Sequence, residues 1–85
     1  MGLIAVKPRK EPPGCKNIIG TKVVALRRER GIKQKDFLAQ LQVLGMDVSA
    51  TSLSRLEGQH RLVPDYEVVL IARALGIGVG ELLAE

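Results

Sequence analysis

The residues best suited to specific chemistry lie between positions 49 and 58, where the chain reads Ser-Ala-Thr-Ser-Leu-Ser-Arg-Leu-Glu-Gly. In a helix, Leu53 and Leu56 would share an inward face, because they are three residues apart. Thr51 and Arg55, four residues apart, would lie on the opposite, outward stripe. Small residues at the start of such a helix allow it to enter the major groove of duplex DNA. The stretch therefore predicts a DNA-reading helix that is held from behind by an apolar face.

Hydrophobic periodicity and glycine stops predict a bundle of five helices around this element. Asn17 and Ser49 are suitable N-caps for the first and third helices, and Gly31, Gly45, Gly58 and Gly76 are expected to end helices. The helices are expected over residues 18–30, 34–44, 50–57, 64–74 and 79–84. Their inward positions are expected at Ile19, Val23, Leu26, Phe37, Leu38, Leu41, Leu44, Leu53, Leu56, Val68, Ile71, Ala72, Leu75 and Leu82. The predicted fold class is a compact all-α bundle.

Length and composition favour one small domain stabilised by a hydrophobic core. The chain has 85 residues, 46% of them hydrophobic, and its one cysteine, Cys15, cannot form an intramolecular disulfide. No apolar run reaches the roughly 18 residues of a membrane span, and the apolar start is shorter than a signal peptide. We expect a soluble, cytoplasmic protein that does not contact a membrane.

The charge is distributed unevenly along the chain, which has a net charge of +4. Residues 1–16 carry +3, residues 17–63 carry +4, and residues 64–85 carry −3. A basic front and an acidic back suit a protein that docks one face on a polyanion. Phe37 and Tyr66 are the only aromatic residues, which is too few for base stacking on single strands, so duplex DNA is the favoured polyanion.

The chain divides into a tail over residues 1–16 and a domain over residues 17–85. Three prolines and Gly14 interrupt any helix in the tail, so we expect it to be flexible and basic. It could touch DNA phosphates or the minor groove, or it could have no role.

Taken in order, these motifs resemble the Cro/repressor-type (XRE-like) helix-turn-helix family of bacterial and phage regulators. The matching segments are residues 19–20, 26–31, 34–37, 48–49, 53–58, 72–77 and 81–83. The resemblance implies a fold of the lambda-repressor-like helix-turn-helix type. It also implies a sequence-specific double-stranded DNA-binding regulator of transcription, most simply a repressor that acts by occluding its site.

The same resemblance assigns roles to individual residues. Base contacts are expected from Ala50, Thr51 and Arg55; the arginine can donate twice to guanine, and the methyl groups of the other two suit a thymine methyl. Phosphate contacts are expected from Lys33, Gln34, Lys35, Ser52, Ser54 and Arg61. Arg27 and Glu57 match a partly buried ion pair that ties the first helix to the third, so they are expected to be structural.

Two features depart from the usual family pattern. From Gln34 to Ser49 the chain is about five residues longer, which is more than one helical turn, and residues 42–44 are expected to prolong the second helix. Leu38 stands where the family usually has alanine, at the crossing of the second and third helices. A larger side chain there could change the angle of the reading helix.

Other functions fit the sequence less well. An enzyme is not expected, because His60 and Cys15 lie in separate regions and no acidic cluster has metal-ligand spacing; no cofactor or metal is expected either. The glycines at 76–80 follow a predicted helix and lack the lysine of a phosphate-binding loop. The main alternative is a protein-interaction module, or an antitoxin-like component that binds a protein partner. One small reading helix suggests a homodimer on an inverted repeat, with an interface on the last two helices near Val79 and Leu83.

Overall fold

A computed structural model of the chain describes residues 16–84, and this range contains five α-helices and no β-strand. The helices are α1 (Gly20–Glu29), α2 (Gln34–Val43), α3 (Ala50–Glu57), α4 (Asp65–Leu75) and α5 (Val79–Leu83). The predicted all-α fold class is therefore confirmed. Cys15 and nearly all of the predicted N-terminal tail lie outside the described residues.

The core forms where the inward faces of the helices meet. α1 packs against α3, α2 against α3 and α4, and α4 against α5. The buried hydrophobic residues are Ile19, Val23, Phe37, Leu41, Met46, Val48, Leu53, Leu56, Ile71, Ala72, Leu75 and Leu82. Of the predicted inward positions, Leu26, Leu38, Leu44 and Val68 are only half-buried. These lie at the edges of the apolar stripes, where a helix meets both the core and solvent.

The long connection between α2 and α3 is anchored to the core rather than looped out. Met46 and Val48, which lie in this connection and are not among the predicted inward positions, are 3% and 6% exposed. The amide of Met46 donates to the carbonyl of Leu41 at 3.0 Å, and the side chain of Gln42 donates to the carbonyl of Val48 at 2.9 Å. Gly45 adopts a left-handed conformation with φ 98°, which lets the chain reverse after α2. The extra residues thus lengthen α2 and then fix the start of α3.

Several helix ends differ from the predicted ones. α1 begins at Gly20 rather than directly after Asn17, yet the side-chain oxygen of Asn17 still accepts from the amides of Ile19 and Gly20 at 3.1 and 2.7 Å. Pro64 is the N-cap of α4 rather than its first residue. Because proline cannot donate a backbone hydrogen bond, it is tolerated at this position.

The end of α3 also differs, because its left-handed residue is not the glycine. Gly58 is the C-cap with φ −84°, and the following Gln59 has φ 63°. A side-chain carbon at Gly58 would meet the ring of His60 at 2.8 Å. Because this ring belongs to an exposed side chain that can rotate away, a side-chain carbon at position 58 would require only a modest adjustment.

One of the two residues at the expected dimer surface is less exposed than predicted. Val79, expected to be exposed, is half-buried against the core, whereas Leu83 is 40% exposed. Lys16, assigned to the tail, donates its amide to the carbonyl of Gln59 at 2.8 Å and so adjoins the domain.

Between residues 16 and 84, no helix is both long enough and apolar enough to cross a membrane.

Candidate nucleic-acid interface

The outer face of α3 is polar and exposed, and its inner face is fully buried. Leu53 and Leu56 are both 0% exposed, and the hydroxyl of Ser49 accepts from the amide of Ser52 at 3.1 Å, as predicted for an N-cap. The exposed residues of α3 are Ala50, Thr51, Ser54 and Arg55, and Ser52 is half-buried. At about 100° per residue, the four exposed residues cover one continuous arc of the helix. All three predicted base-contact residues therefore share one accessible face.

Arg55 is partly held by the loop that follows α3. One terminal nitrogen, Nη2, donates to the carbonyl of His60 at 3.2 Å. Its other N–H groups form no hydrogen bond within residues 16–84. The guanidinium is thus oriented by the protein while retaining donors for a ligand. The sequence alone did not indicate this contact.

The N-terminus of α2 lies beside this face. Lys33 and Lys35 are exposed, and the N-cap residue Lys33 supplies no side-chain acceptor for the first amides of the helix. Gln34 links the two helices, because its Nε2 atom is 3.3 Å from the hydroxyl of Ser54. A helix N-terminus carries a partial positive charge and attracts anions, so the two lysines and the dipole act in the same direction, while the exposed Asp36 in the first turn of α2 partly offsets them.

Arg27 and Glu57 form the expected ion pair between α1 and α3. Nε of Arg27 donates to Oε2 of Glu57 at 2.9 Å, and Nη2 donates to Oε1 at 3.1 Å. The side chains are only 10% and 7% exposed. Nη1 of Arg27 donates to the carbonyl of Ile32, and Nε2 of Gln34 donates to Oε1 of Glu57, both at 2.9 Å. This network fixes the start of α2 relative to α3.

Arg61, expected at a phosphate, is largely engaged inside the domain. Its Nη1 atom lies 3.0 Å from Oε1 of Glu67, and Nε donates to the carbonyl of Ser52 at 3.2 Å. The contact with Glu67 lacks the alignment of a hydrogen bond, so the attraction is mainly between opposite charges. The Arg61 side chain is 18% exposed. It joins the first turn of α3 to α4.

The sequence contained an unused indication of this second ion pair. Glu67 lies four residues before Ile71 and therefore on the buried side of α4, where it is 6% exposed. A carboxylate at such a position requires a cation or donors. The partner could not be read from the sequence, because Arg61 belongs to a loop without periodicity.

Asn17 fastens the loop after α3 to the start of α1. Besides capping α1, its side-chain amide donates to the carbonyls of Leu56 and Arg61 at 3.1 and 2.9 Å. Gln59 returns a hydrogen bond to the carbonyl of Asn17 at 2.9 Å. The C-terminal end of α3 and the loop after it are thus held by side chains against the start of α1.

A separate cavity of about 280 Å³ opens between the segment that precedes α1, the loop that precedes α4, and helices α4 and α5. Its lining is mainly aliphatic, with Lys16 and Asn17 as the polar residues. None of the predicted DNA-contact residues lines it. Across residues 16–84, no three His, Cys, Asp or Glu side chains are grouped so that they could hold a metal ion.

The chain was compared with known proteins, and no protein-family model, curated protein or solved structure matched it.

Proposed function

We propose that this protein is a sequence-specific double-stranded DNA-binding regulator of transcription, of the Cro/repressor helix-turn-helix type, that inserts α3 into the major groove. The observation that carries the proposal is the exposed arc of α3. It presents small residues at the N-terminus and Arg55 one turn further along, on a helix whose other side is buried. A recognition helix of this kind contacts base edges with its N-terminal residues.

The proposed docking divides the residues by chemical role. Ala50, Thr51 and Arg55 would face base edges, where the arginine reads guanine through two donors. Lys33 and Lys35, at the N-terminus of α2, would neutralise phosphates beside the groove.

The short polar residues have subsidiary roles in this docking. Ser54 is exposed, and its hydroxyl accepts from Gln34, so the hydroxyl would donate to a DNA phosphate. Gln34 also donates to Glu57, so it would reach a phosphate itself only by giving up one of these hydrogen bonds. Ser52 is half-buried and Arg61 is paired with Glu67. These two residues would therefore hold α3 in place more than they would contact DNA directly.

We further propose that the protein acts in the cytoplasm as a homodimer, most simply as a repressor. A single short reading helix contacts few base pairs, so two copies on an inverted repeat would supply the specificity. The two half-sites would lie about one helical turn, or ~34 Å, apart.

The test is selection of bound duplexes from a random library at near-physiological salt, with the wild type and a Thr51→Ala, Arg55→Ala variant in parallel. A palindromic motif that the variant fails to enrich is the expected result. Both residues are exposed, so the variant should fold normally, which circular dichroism would check. A motif enriched equally by both proteins, or none by either, would contradict the proposal.

Arg55→Lys separates base reading from charge, because it keeps the cation but loses the planar pair of donors. On the selected duplex, this variant should lose on the order of 5- to 100-fold in affinity, with an unchanged dependence on salt. Lys35→Ala should instead weaken binding to all sequences and reduce the salt slope by about one. Arg73→Ala, which removes an exposed arginine from α4, is the charge-matched control for Lys35→Ala. The comparison uses a duplex with a single half-site, so that dimerisation does not affect it.

The alternative is a module that binds a protein partner, and the aliphatic cavity beside α5 favours it. Ile18, Leu62 and Leu83 line this cavity and are 45%, 73% and 40% exposed. A protein partner seated there would bind without the steep salt dependence of a DNA complex. It would also be indifferent to Thr51 and Arg55, which do not line the cavity.

A further inference from the structure

We infer that a second copy of this chain packs antiparallel on the outer stripe of α4, centred on Val69. This inference rests on the homodimer of the proposed function, but not on DNA binding. The outer stripe consists of the exposed α4 residues Asp65, Tyr66, Val69 and Arg73. Tyr66 and Val69 are 63% and 43% exposed. Tyrosine and arginine are enriched in protein interfaces, so an exposed helix face that carries Tyr66 and Arg73 is typical of one.

The charges on the outer stripe make it complementary to itself. Asp65 lies four residues before Val69 and Arg73 lies four residues after it, so all three occupy one ridge of the helix. When two such helices cross antiparallel at Val69, Asp65 of each copy is level with Arg73 of the other. A twofold axis through Val69 therefore produces two equivalent ion pairs around an apolar centre. A parallel arrangement would instead place like charges together.

Both charged side chains are exposed in the part of the chain that the structure describes. Neither Asp65 nor Arg73 takes part in a salt bridge within residues 16–84. Each also complements the dipole of α4, since Asp65 lies in the first turn and Arg73 in the last. Gly76 follows on the same side of the helix and has no side chain to obstruct a second helix.

The outer stripe is also compatible with simultaneous DNA binding. α4 packs mainly against α2 and α5, whereas α3 packs against α1 and α2. The predicted base-contact residues lie on α3 and the outer stripe lies on α4, so the two surfaces belong to different helices, both of which pack against α2. A stripe of about two turns buries less than the roughly 800 Å² per partner of a standard interface, so the free dimer should be weak.

The test is sedimentation equilibrium without DNA, from micromolar to millimolar protein, on the wild type and two charge-reversal variants. Asp65→Arg sets an arginine against Arg73 of the second copy, and Arg73→Asp sets two acids against each other. Each variant alone should dimerise at least about tenfold more weakly than the wild type. An equimolar mixture of the two should recover the dimer, because every pair across the axis is then again of opposite charge.

Asp36→Arg is the matched control, since it reverses an exposed acidic residue in the first turn of α2. It should dimerise as the wild type does, and thermal unfolding should show that all variants are folded. A wild type that stays monomeric at millimolar concentration would overturn the inference. So would single variants that dimerise normally, or a mixture that shows no recovery.

The two proposals fail in different ways. Binding of a single half-site duplex does not need the dimer. The affinities of both charge-reversal variants for this duplex should therefore differ from that of the wild type only through their changed net charge. Loss of the dimer with half-site binding retained would support the α4 interface within the proposed function. A dimer that obeys the charge reversals but binds no DNA would leave the interface standing and refute the DNA-binding role.

Discussion

Replacing Glu57 with alanine should destabilise the domain by about 3–5 kcal/mol, because it leaves the buried charge of Arg27 without its partner. Glu57 accepts two hydrogen bonds from Arg27 and one from Gln34, over 2.9–3.1 Å. In the variant, Arg27 keeps its hydrogen bond to the carbonyl of Ile32, while Nε and Nη2, which donate to Glu57, lose their acceptor. A guanidinium that is only 10% exposed cannot recover these bonds fully from water.

The expected loss is a large part of the total stability. A domain that spans residues 17–85 has a free energy of unfolding of roughly 3–10 kcal/mol. Urea unfolding followed by far-UV circular dichroism should show a much lower midpoint with a similar slope. Added salt should not abolish the difference, because buried pairs are only weakly screened. Glu29→Ala is the control, since it removes an exposed glutamate and should change stability by no more than about 0.5 kcal/mol.

A double variant, Arg27→Met with Glu57→Leu, distinguishes a stranded charge from a lost attraction. Replacing both members of a buried pair by apolar residues is often nearly neutral, so the double variant should be more stable than Glu57→Ala. A loss below about 1 kcal/mol for Glu57→Ala would refute the reasoning. It would mean that the pair behaves as a solvated surface pair.

Three further predictions concern stability. Gly20→Ala should destabilise the domain by about 1–3 kcal/mol, since the added carbon would meet the carbonyl oxygen of Leu56. Gly80→Ala is the control, because it has no neighbour within 4 Å and should not destabilise the domain; thermal unfolding compares the two variants. Ser49→Ala should cost about 1 kcal/mol in urea unfolding through loss of the α3 cap, and a loss near zero would contradict that role. Lys22→Gln should speed amide hydrogen exchange in α5 with little effect on α3, because the ammonium donates to two carbonyls at the end of α5; unchanged exchange would show that these bonds are dispensable.

The sequence alone was sufficient to predict the five helices and the exposed face of α3. The hydrophobic period and the N-cap Ser49 are local features, and the structure reproduces them to within a few residues at each helix end. The exposure of Thr51 and Arg55 follows from the same period, because they lie opposite the buried Leu53. The proposed role of this face in DNA binding rests on chemistry and resemblance, and stays a prediction.

Contacts between distant segments could be decided only by the tertiary structure. The Arg61–Glu67 pair, the burial of Met46 and the hydrogen bonds of Asn17 to the end of α3 all depend on how helices and loops meet. Periodicity shows which side of a helix is apolar, but it does not show which neighbour covers that side. For the same reason, the sequence pointed to Val79 as exposed, while the packed structure half-buries it and exposes the outer stripe of α4. Local propensity thus determined the helices and their inward faces, and packing determined which polar groups became structural and which remained available to a partner.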